Sequence, residues 1–289
     1  MPQTTMQMLE EAFHGSIAGI AIVLVGHPFA TLKTRKQINH FRYPEMIKSM
    51  IYKEGLRSFY KGMLSPLISV PLFKAVLFSS YKMTLNKLNA DPAWDNHREL
   101  KITISAIVGG FANAFVAGPT ELFKTKLQIQ RGLKTKVYEG NLDCFKKMYK
   151  VAGWRCLFQG THIAIYRDMI GYWWQFYYYD KMCRYFGNGD VDSISNFDKF
   201  VAGGISGMLC WIGCYPIDVV KSRRQAQVLT EAPKVFDNFY IIRDLNRLIR
   251  KEGIYKMFSG VTIISGRSFF AHGLAFCIWD FLQKNFKYY

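Results

Sequence analysis

The sequence predicts an all-α membrane protein made of three tandem repeats, each contributing two transmembrane helices. Three observations predict it. A proline is followed five residues on by a lysine, then by a basic residue and a glutamine at two-residue steps. This pattern stands at Pro28-Lys33-Arg35-Gln37, Pro119-Lys124-Lys126-Gln128 and Pro216-Lys221-Arg223-Gln225, a period of roughly 90 to 100 residues that marks a repeat architecture. Gly15 to Leu32, Ile102 to Thr120 and Val201 to Ile217 carry no Asp, Glu, Lys or Arg, and each nears the length that crosses a bilayer core. Small residues and aromatics also keep one register through all three copies. The 289 residues are read as a single unit, 1–289, with repeats at about 10–90, 100–190 and 196–285.

Composition narrows the function classes. Half the chain is hydrophobic and its formal net charge is +17, which fits an anionic membrane surface, an anionic small ligand or nucleic acid. Nucleic acid is disfavoured because the charges alternate with long uncharged apolar stretches. The six cysteines show no CxxC or framework spacing and read as reduced packing residues. Glu10 and Glu11 near the start, with no basic n-region, argue against a cleaved signal or an Arg-rich transit peptide, so any address is internal.

The odd spans come from the glycine register. Gly15, Ala106 and Gly203 stand thirteen residues before the prolines, and Gly19, Gly110 and Gly207 nine before. Small residues four apart let a neighbouring backbone approach closely in lipid. They predict spans 11–37, 101–130 and 197–227. After each comes a polar connection with Glu54-Gly55, Ala152-Gly153 or Glu252-Gly253, and seven residues later Gly62, Gly160 or Gly260. Sixteen residues beyond these lie Phe78, Phe176 and Phe276, and three further on Tyr81, Tyr179 and Trp279. They mark the even spans 64–85, 162–183 and 262–283, which are poorer by hydropathy because Lys74, Arg167, Asp168 and Arg267 interrupt them. Trp173, Trp174 and Tyr177 to Tyr179 suit an interfacial belt or plain packing equally.

Charge supplies the topology. Lys33 to Lys61 holds eight basic and two acidic residues, Lys124 to Arg155 nine and two, and Lys221 to Lys256 nine and four. The opposite connections, Lys82 to Lys101 and Arg184 to Lys199, total six of each. The positive-inside bias puts the three long connections in one compartment and both termini in the other.

With these motifs in register over essentially the whole chain, the sequence resembles the mitochondrial carrier family, nearest its carnitine/acylcarnitine and ornithine-type amino-acid branch. The family motif, Pro-x-Asp/Glu-x-x-Lys/Arg, stands at Pro28, Pro119 and Pro216, except that Ala30 replaces the first acid. The resemblance implies six tilted helices about a pseudo-threefold axis, short amphipathic helices on the matrix side, and alternating access through one central site. It implies residence in the inner membrane, with both termini toward the intermembrane space. It also implies anionic, cardiolipin-like lipids beside the basic matrix connections.

The resemblance assigns residues to roles. Pro28, Pro119 and Pro216 would kink the odd helices. Lys33, Lys124 and Lys221 with Glu121 and Asp218 would form a matrix gate, braced by Gln37, Gln128 and Gln225. With two acids for three lysines, at most two bridges form. The second gate is degenerate, with Lys82, Asp180 and Asp280 at its acid positions and Leu85, Cys183 and Gln283 at its basic ones. Arg184 and Lys284 fall one residue late, and Lys82 could pair with one aspartate. The substrate contacts would be Ser69-Val70, Arg167-Asp168 and Arg267-Ser268. Arg167 and Arg267 would hold a carboxylate and Asp168 an amine, although an internal Arg167–Asp168 pair is the plain alternative. Lys74 and His272 share a register, with Tyr172 between them, and could reach the cavity or serve equally by snorkelling or helix contact. Six basic against three acidic cavity residues disfavour a purely cationic substrate.

No phosphate-binding loop, His-Glu-x-x-His motif or nucleophile elbow is present, so no enzyme and no cofactor are expected. The scattered histidines make no metal site. The expected function is transport of a small carboxylate-bearing zwitterion, an amino acid or carnitine derivative. The alternatives are a transport-inactive carrier-fold subunit of a larger inner-membrane assembly, motivated by Ala30 and the degenerate second gate, and a carrier of another organic anion.

Overall fold

A computed structural model of the chain describes residues 3–38, 47–48, 50–52, 55–60, 63–130, 138–158, 160–188, 194–226, 239–258 and 261–285. The side chains of Ala30, Lys33, Gln37, Lys124, Gln128 and Gln225 lie outside that description. The helices are α1 (Gln3–Ile38), α2 (Leu64–Asn89), α3 (Arg98–Gln130), α4 (Asn141–Ala152), α5 (Thr161–Phe186), α6 (Asn196–Ala226), α7 (Phe239–Glu252) and α8 (Val261–Asn285). Among the described residues there is no strand. Six long helices pack in the order α1, α2, α3, α5, α6, α8, and α8 returns to α1, so the ring closes. The all-α, six-helix carrier fold that the sequence predicts is the one observed.

Among the described residues, three helical spans are long and apolar enough to cross a membrane: Met6–Phe29, Arg98–Phe123 and Asn196–Ser222. They are the odd helices. The even helices are shorter, 25 or 26 residues, and carry the interrupting charges, and their place in the ring comes from packing against the odd ones.

The glycines explain that packing. A Cβ on Gly19 would stand 2.7 Å from the Cα of Pro71, one on Gly110 2.8 Å from the carbonyl oxygen of Asp168, and one on Gly207 2.7 Å from the Cβ of His272. Within each repeat the odd helix thus touches its even partner at the absent side chain. These crossings set the depth of Asp168 and His272, and place Lys74 one turn from the first.

The prolines lie inside α1, α3 and α6, where the missing N–H frees a carbonyl one turn back. The residue before a proline anchors the following connection in two repeats. His27 stacks on Tyr60 and Tyr215 on Phe258, each with ring centroids 6.5 Å apart. Thr31 also donates to the carbonyl oxygen of Phe59 at 2.8 Å. The recurring glycines Gly55, Gly153 and Gly253 have φ of +76°, +56° and +82°. Their N–H groups close back on the carbonyls of Ile51, Tyr149 and Ile249, and the positive φ at each helix end is one that glycine adopts without a Cβ clash. On α4, Cys144 and Met148 pack with Leu122, Tyr138 and Cys156 into a second core. Burial there pushes the Cys144 thiol up to about 11, as suits a packing cysteine.

Candidate functional site

From the end of the basic connections to the end of the termini, the bundle interior shows four levels. The first centres on Arg167 of α5. Its Nη2 donates to Glu121 Oε2 on α3 at 3.0 Å, and its Nη1 lies 3.6 Å from Asp218 on α6. Glu121 Oε2 also accepts from Lys221 Nζ of α6. Of the expected gate residues, the structure therefore joins Glu121 to Lys221, and it adds Arg167 to them. The arginine that the family pattern places at a substrate contact thus also touches acids that the same pattern assigns to the gate.

The second level holds the other contact positions. Arg167 Nε lies 2.8 Å from Asp168 Oδ1, so the internal Arg–Asp pair forms. Asp168 Oδ2 accepts from Asn113 Nδ2 of α3 at 2.7 Å, and the same nitrogen lies 3.4 Å from the Tyr172 hydroxyl. The sequence does not announce Asn113. An uncharged amide in an apolar span raises no flag, and only its depth, six residues before Pro119, could point to it. Lys74 Nζ of α2 stands 4.9 Å from the centre of the Tyr172 ring, a cation–π contact. Ser268 is buried, and its hydroxyl makes hydrogen bonds with Gly207 O at 2.9 Å and His272 Nδ1 at 2.8 Å, so it faces α6 and its own helix. Ser69 and Val70 are partly buried. Arg267, partly buried on α8, approaches α1 with Nη1 4.0 Å from where a Gly26 Cβ would stand.

The third level is an aromatic plug. Phe78, Phe176 and Phe276 meet edge to face with centroids 5.7, 6.2 and 6.0 Å apart. Each is then covered by the aromatic three residues along a neighbouring even helix. Tyr81 stacks on Phe176 at 3.9 Å, Tyr179 on Phe276 at 3.9 Å and Trp279 on Phe78 at 4.9 Å. Six rings from α2, α5 and α8 form a cycle of threefold pattern, each contact worth about 0.5–1.5 kcal/mol beyond its buried area.

The fourth level carries the degenerate gate positions. Asp180 pairs with Arg98 at 2.7 Å and with Arg184, four residues along its own helix, at 2.9 Å. Asp280 pairs with Lys199 Nζ at 2.5 Å. Both acids thus find cations within their own repeats. Lys82 does not pair with either aspartate. Its Nζ lies 3.5 Å from Gln283 Oε1, and Gln283 Nε2 donates to Glu11 at 2.7 Å, a relay across α2, α8 and α1. The reason is reach: Arg98, Arg184 and Lys199 are nearer to the aspartates than Lys82. Higher up α5, Trp173 donates to Thr103 of α3 at 3.1 Å and Trp174 covers Gly213 of α6, so these tryptophans pack between helices.

Comparison with known proteins agrees with this architecture. The family described as "Mitochondrial carrier protein" matches residues 4–91, 98–190 and 192–289. "Mitochondrial substrate carrier family protein S" of Dictyostelium discoideum is 32% identical over 97% of this chain and 99% of its own length. The human "Mitochondrial basic amino acids transporter" is 34% identical over 76% of this chain and 73% of its own. The human "Mitochondrial carnitine/acylcarnitine carrier protein" is 29% identical over 96% and 94%. The threefold match, the closed ring of six helices and three apolar spans together show that this chain belongs to the mitochondrial carrier family, whose members transport solutes across the inner membrane.

Proposed function

We propose that this carrier moves a small carboxylate-bearing zwitterion, of the amino-acid or carnitine type, by alternating access through its central site. The observation that carries the proposal is the mixed charge at matching positions of two repeats: Arg267 on α8, seven residues after Gly260, for the carboxylate, and Asp168 on α5, eight after Gly160 and linked to Tyr172 through Asn113, for the cationic group. A planar guanidinium grips a carboxylate with two parallel hydrogen bonds. The relatives' names, one for basic amino acids and one for carnitine and acylcarnitine, support the same substrate range.

In this reading the aromatic cycle and the paired Asp180 and Asp280 close the bundle toward the intermembrane space, where both termini lie. Glu121, Lys221, Asp218 and Arg167 act at the matrix end, with Lys33 and Lys124 completing the gate. Substrate engaging Arg167 competes with Glu121 and Asp218 for the same guanidinium, so its binding energy offsets the ion pairs that break on opening. Arg243, Arg247, Arg250 and Lys251 line one shallow depression on α7 with Ile242, and this basic face suits anionic, cardiolipin-like headgroups.

The test is reconstitution into liposomes with labelled carnitine, neutral and basic amino acids, keto acids and nucleotides. Uptake of a zwitterion, lost in Arg267→Ala, is the expected result. Uptake of nucleotides or keto acids alone would overturn the substrate class. A second reading, a transport-inactive subunit of a larger assembly, draws on Asp180 and Asp280 being neutralised within their own repeats. No uptake across the panel, with the protein recovered in a large complex, would favour it.

A further inference from the structure

At the end of the bundle that carries the termini, Asp180 and Asp280 each pair within their own repeat, so neither pair holds two repeats together. Gln283 does. Its Nε2 donates to both carboxylate oxygens of Glu11 on α1, at 2.7 and 3.0 Å, and its Oε1 accepts from Lys82 Nζ on α2 at 3.5 Å. Lys82 Nζ also stands 5.9 Å from the centre of the Trp279 ring on α8, a cation–π contact. All of these contacts cross from the third repeat to the first, where the ring of helices closes. Glu11 is only 9% exposed, and a carboxylate at that depth is costly without partners.

Glu11 and Lys199 both stand seventeen residues before their prolines, and Lys82, Asp180 and Asp280 all stand twenty after Gly62, Gly160 and Gly260. The third repeat thus sets a lysine on its odd helix against an acid on its even one. Arg98, one turn earlier on α3, does the same against Asp180 in the second. The first repeat carries the two charges exchanged, the acid on α1 and the lysine on α2. An amide suits that exchange, because it offers N–H donors to the carboxylate and a carbonyl acceptor to the ammonium. We propose that Glu11, Gln283 and Lys82 form a lock across the seam between the third and first repeats, which parts each time the central site opens toward the end that carries the termini. The proposal rests on the transport reading and adds Glu11 and Gln283 to its gating residues. It departs from the expected second gate, where the even helices supply both charges, since here the acid comes from the odd helix α1. The other two seams are crossed nearby by the ring stacks Tyr81–Phe176 and Tyr179–Phe276. Opening at the α8–α1 seam therefore costs polar contacts, which substrate binding offsets.

Charge exchange tests the link, and tethering tests the lock. Glu11→Lys sets two lysines against one amide, and Lys82→Glu sets two carboxylates against it, so each lowers the thermal midpoint of the full chain in detergent. Glu11→Lys/Lys82→Glu recovers most of the loss, because the Gln283 amide turned over serves the exchanged pair, and the recovery disappears when Gln283→Leu is added. Single variants as stable as the wild type overturn the proposal, as does a double variant no better than the singles. In liposomes, Glu11→Cys/Gln283→Cys is joined by a short bifunctional thiol reagent that a reductant cleaves, with the wild type treated alike as the reference. Uptake stops on tethering and returns on cleavage. Uptake that continues through the tether overturns the lock. Absence of uptake before tethering sinks the transport reading instead, and the midpoints then decide by themselves whether the link holds the seam.

Discussion

Glu121 places two cations, Lys221 and Arg167, on one carboxylate oxygen, so its charge matters more than its shape. Glu121→Gln keeps the volume and takes the ion pair from Lys221, while Arg167 keeps Asp168 and Asp218. Breaking a buried pair costs about 3–5 kcal/mol, and with Glu121 33% exposed solvent screening reduces this to about 1–3 kcal/mol. The expected outcome is a thermal midpoint several degrees lower, with much of the loss recovered in Glu121→Gln/Lys221→Gln, where the cation whose ion pair was broken is removed as well. Equal midpoints in wild type and Glu121→Gln would show that the cluster contributes nothing. This cluster is half legible in the sequence. Glu121 and Lys221 stand out by their offset from the prolines. Offset singles out Arg167 too, but its partners depend on which helices are neighbours and how they tilt, and no spacing along one chain encodes that. Asn113 escapes the sequence for the complementary reason, because it acts through one hydrogen bond to Asp168 and carries no charge of its own.

At the scale of elements the glycine register decides how closely paired helices approach. A Cβ on Gly110 would meet the carbonyl oxygen of Asp168 at 2.8 Å and the Cα of Met169 at 2.9 Å, both backbone and unable to swing aside. Gly110→Val therefore forces α3 off α5 and moves Asp168 away from Asn113. Gly266 on α8 has nothing within 4 Å of its Cβ position, so Gly266→Ala gains helix propensity of up to about 1 kcal/mol at no steric cost. Thermal midpoints of the two variants, read side by side, should move in opposite directions: Gly110→Val down by several degrees, Gly266→Ala level or up. A tolerated Gly110→Val would show that the crossing is looser than its geometry. The spans are legible because these approaches recur in three copies, and their expected ends, such as 64–85 and 162–183, fall inside Leu64–Asn89 and Thr161–Phe186. The end pairs are not. Arg98 and Lys199 sit at the starts of α3 and α6, outside the motif that defines the gate, and long flexible side chains reach Asp180 and Asp280 from there.

At the scale of the whole molecule, the threefold pattern turns one observed bridge into a rule for the others. Glu121, two residues after the proline of the second repeat, bonds Lys221, five after the proline of the third. Rotating that bridge about the bundle axis predicts Asp218 with Lys33, and an acid at position 30 with Lys124. On this rule, with Ala30 in place of that acid, Lys124 would be the lysine left over, and the bridge between α1 and α3 would be the missing one. Ala30→Asp should supply it. One partly screened bridge is worth up to about 1 kcal/mol, or about 2–4 °C for a chain of this size. The closed matrix end gains that stability while the open end does not, so uptake should slow as the midpoint rises. The gain must vanish in Ala30→Asp/Lys124→Gln and persist in Ala30→Asp/Lys33→Gln, which separates this register from a general effect of added negative charge on a basic protein. A midpoint unmoved by Ala30→Asp, or one raised equally in both double variants, would mean that the second bridge does not follow the first around the axis.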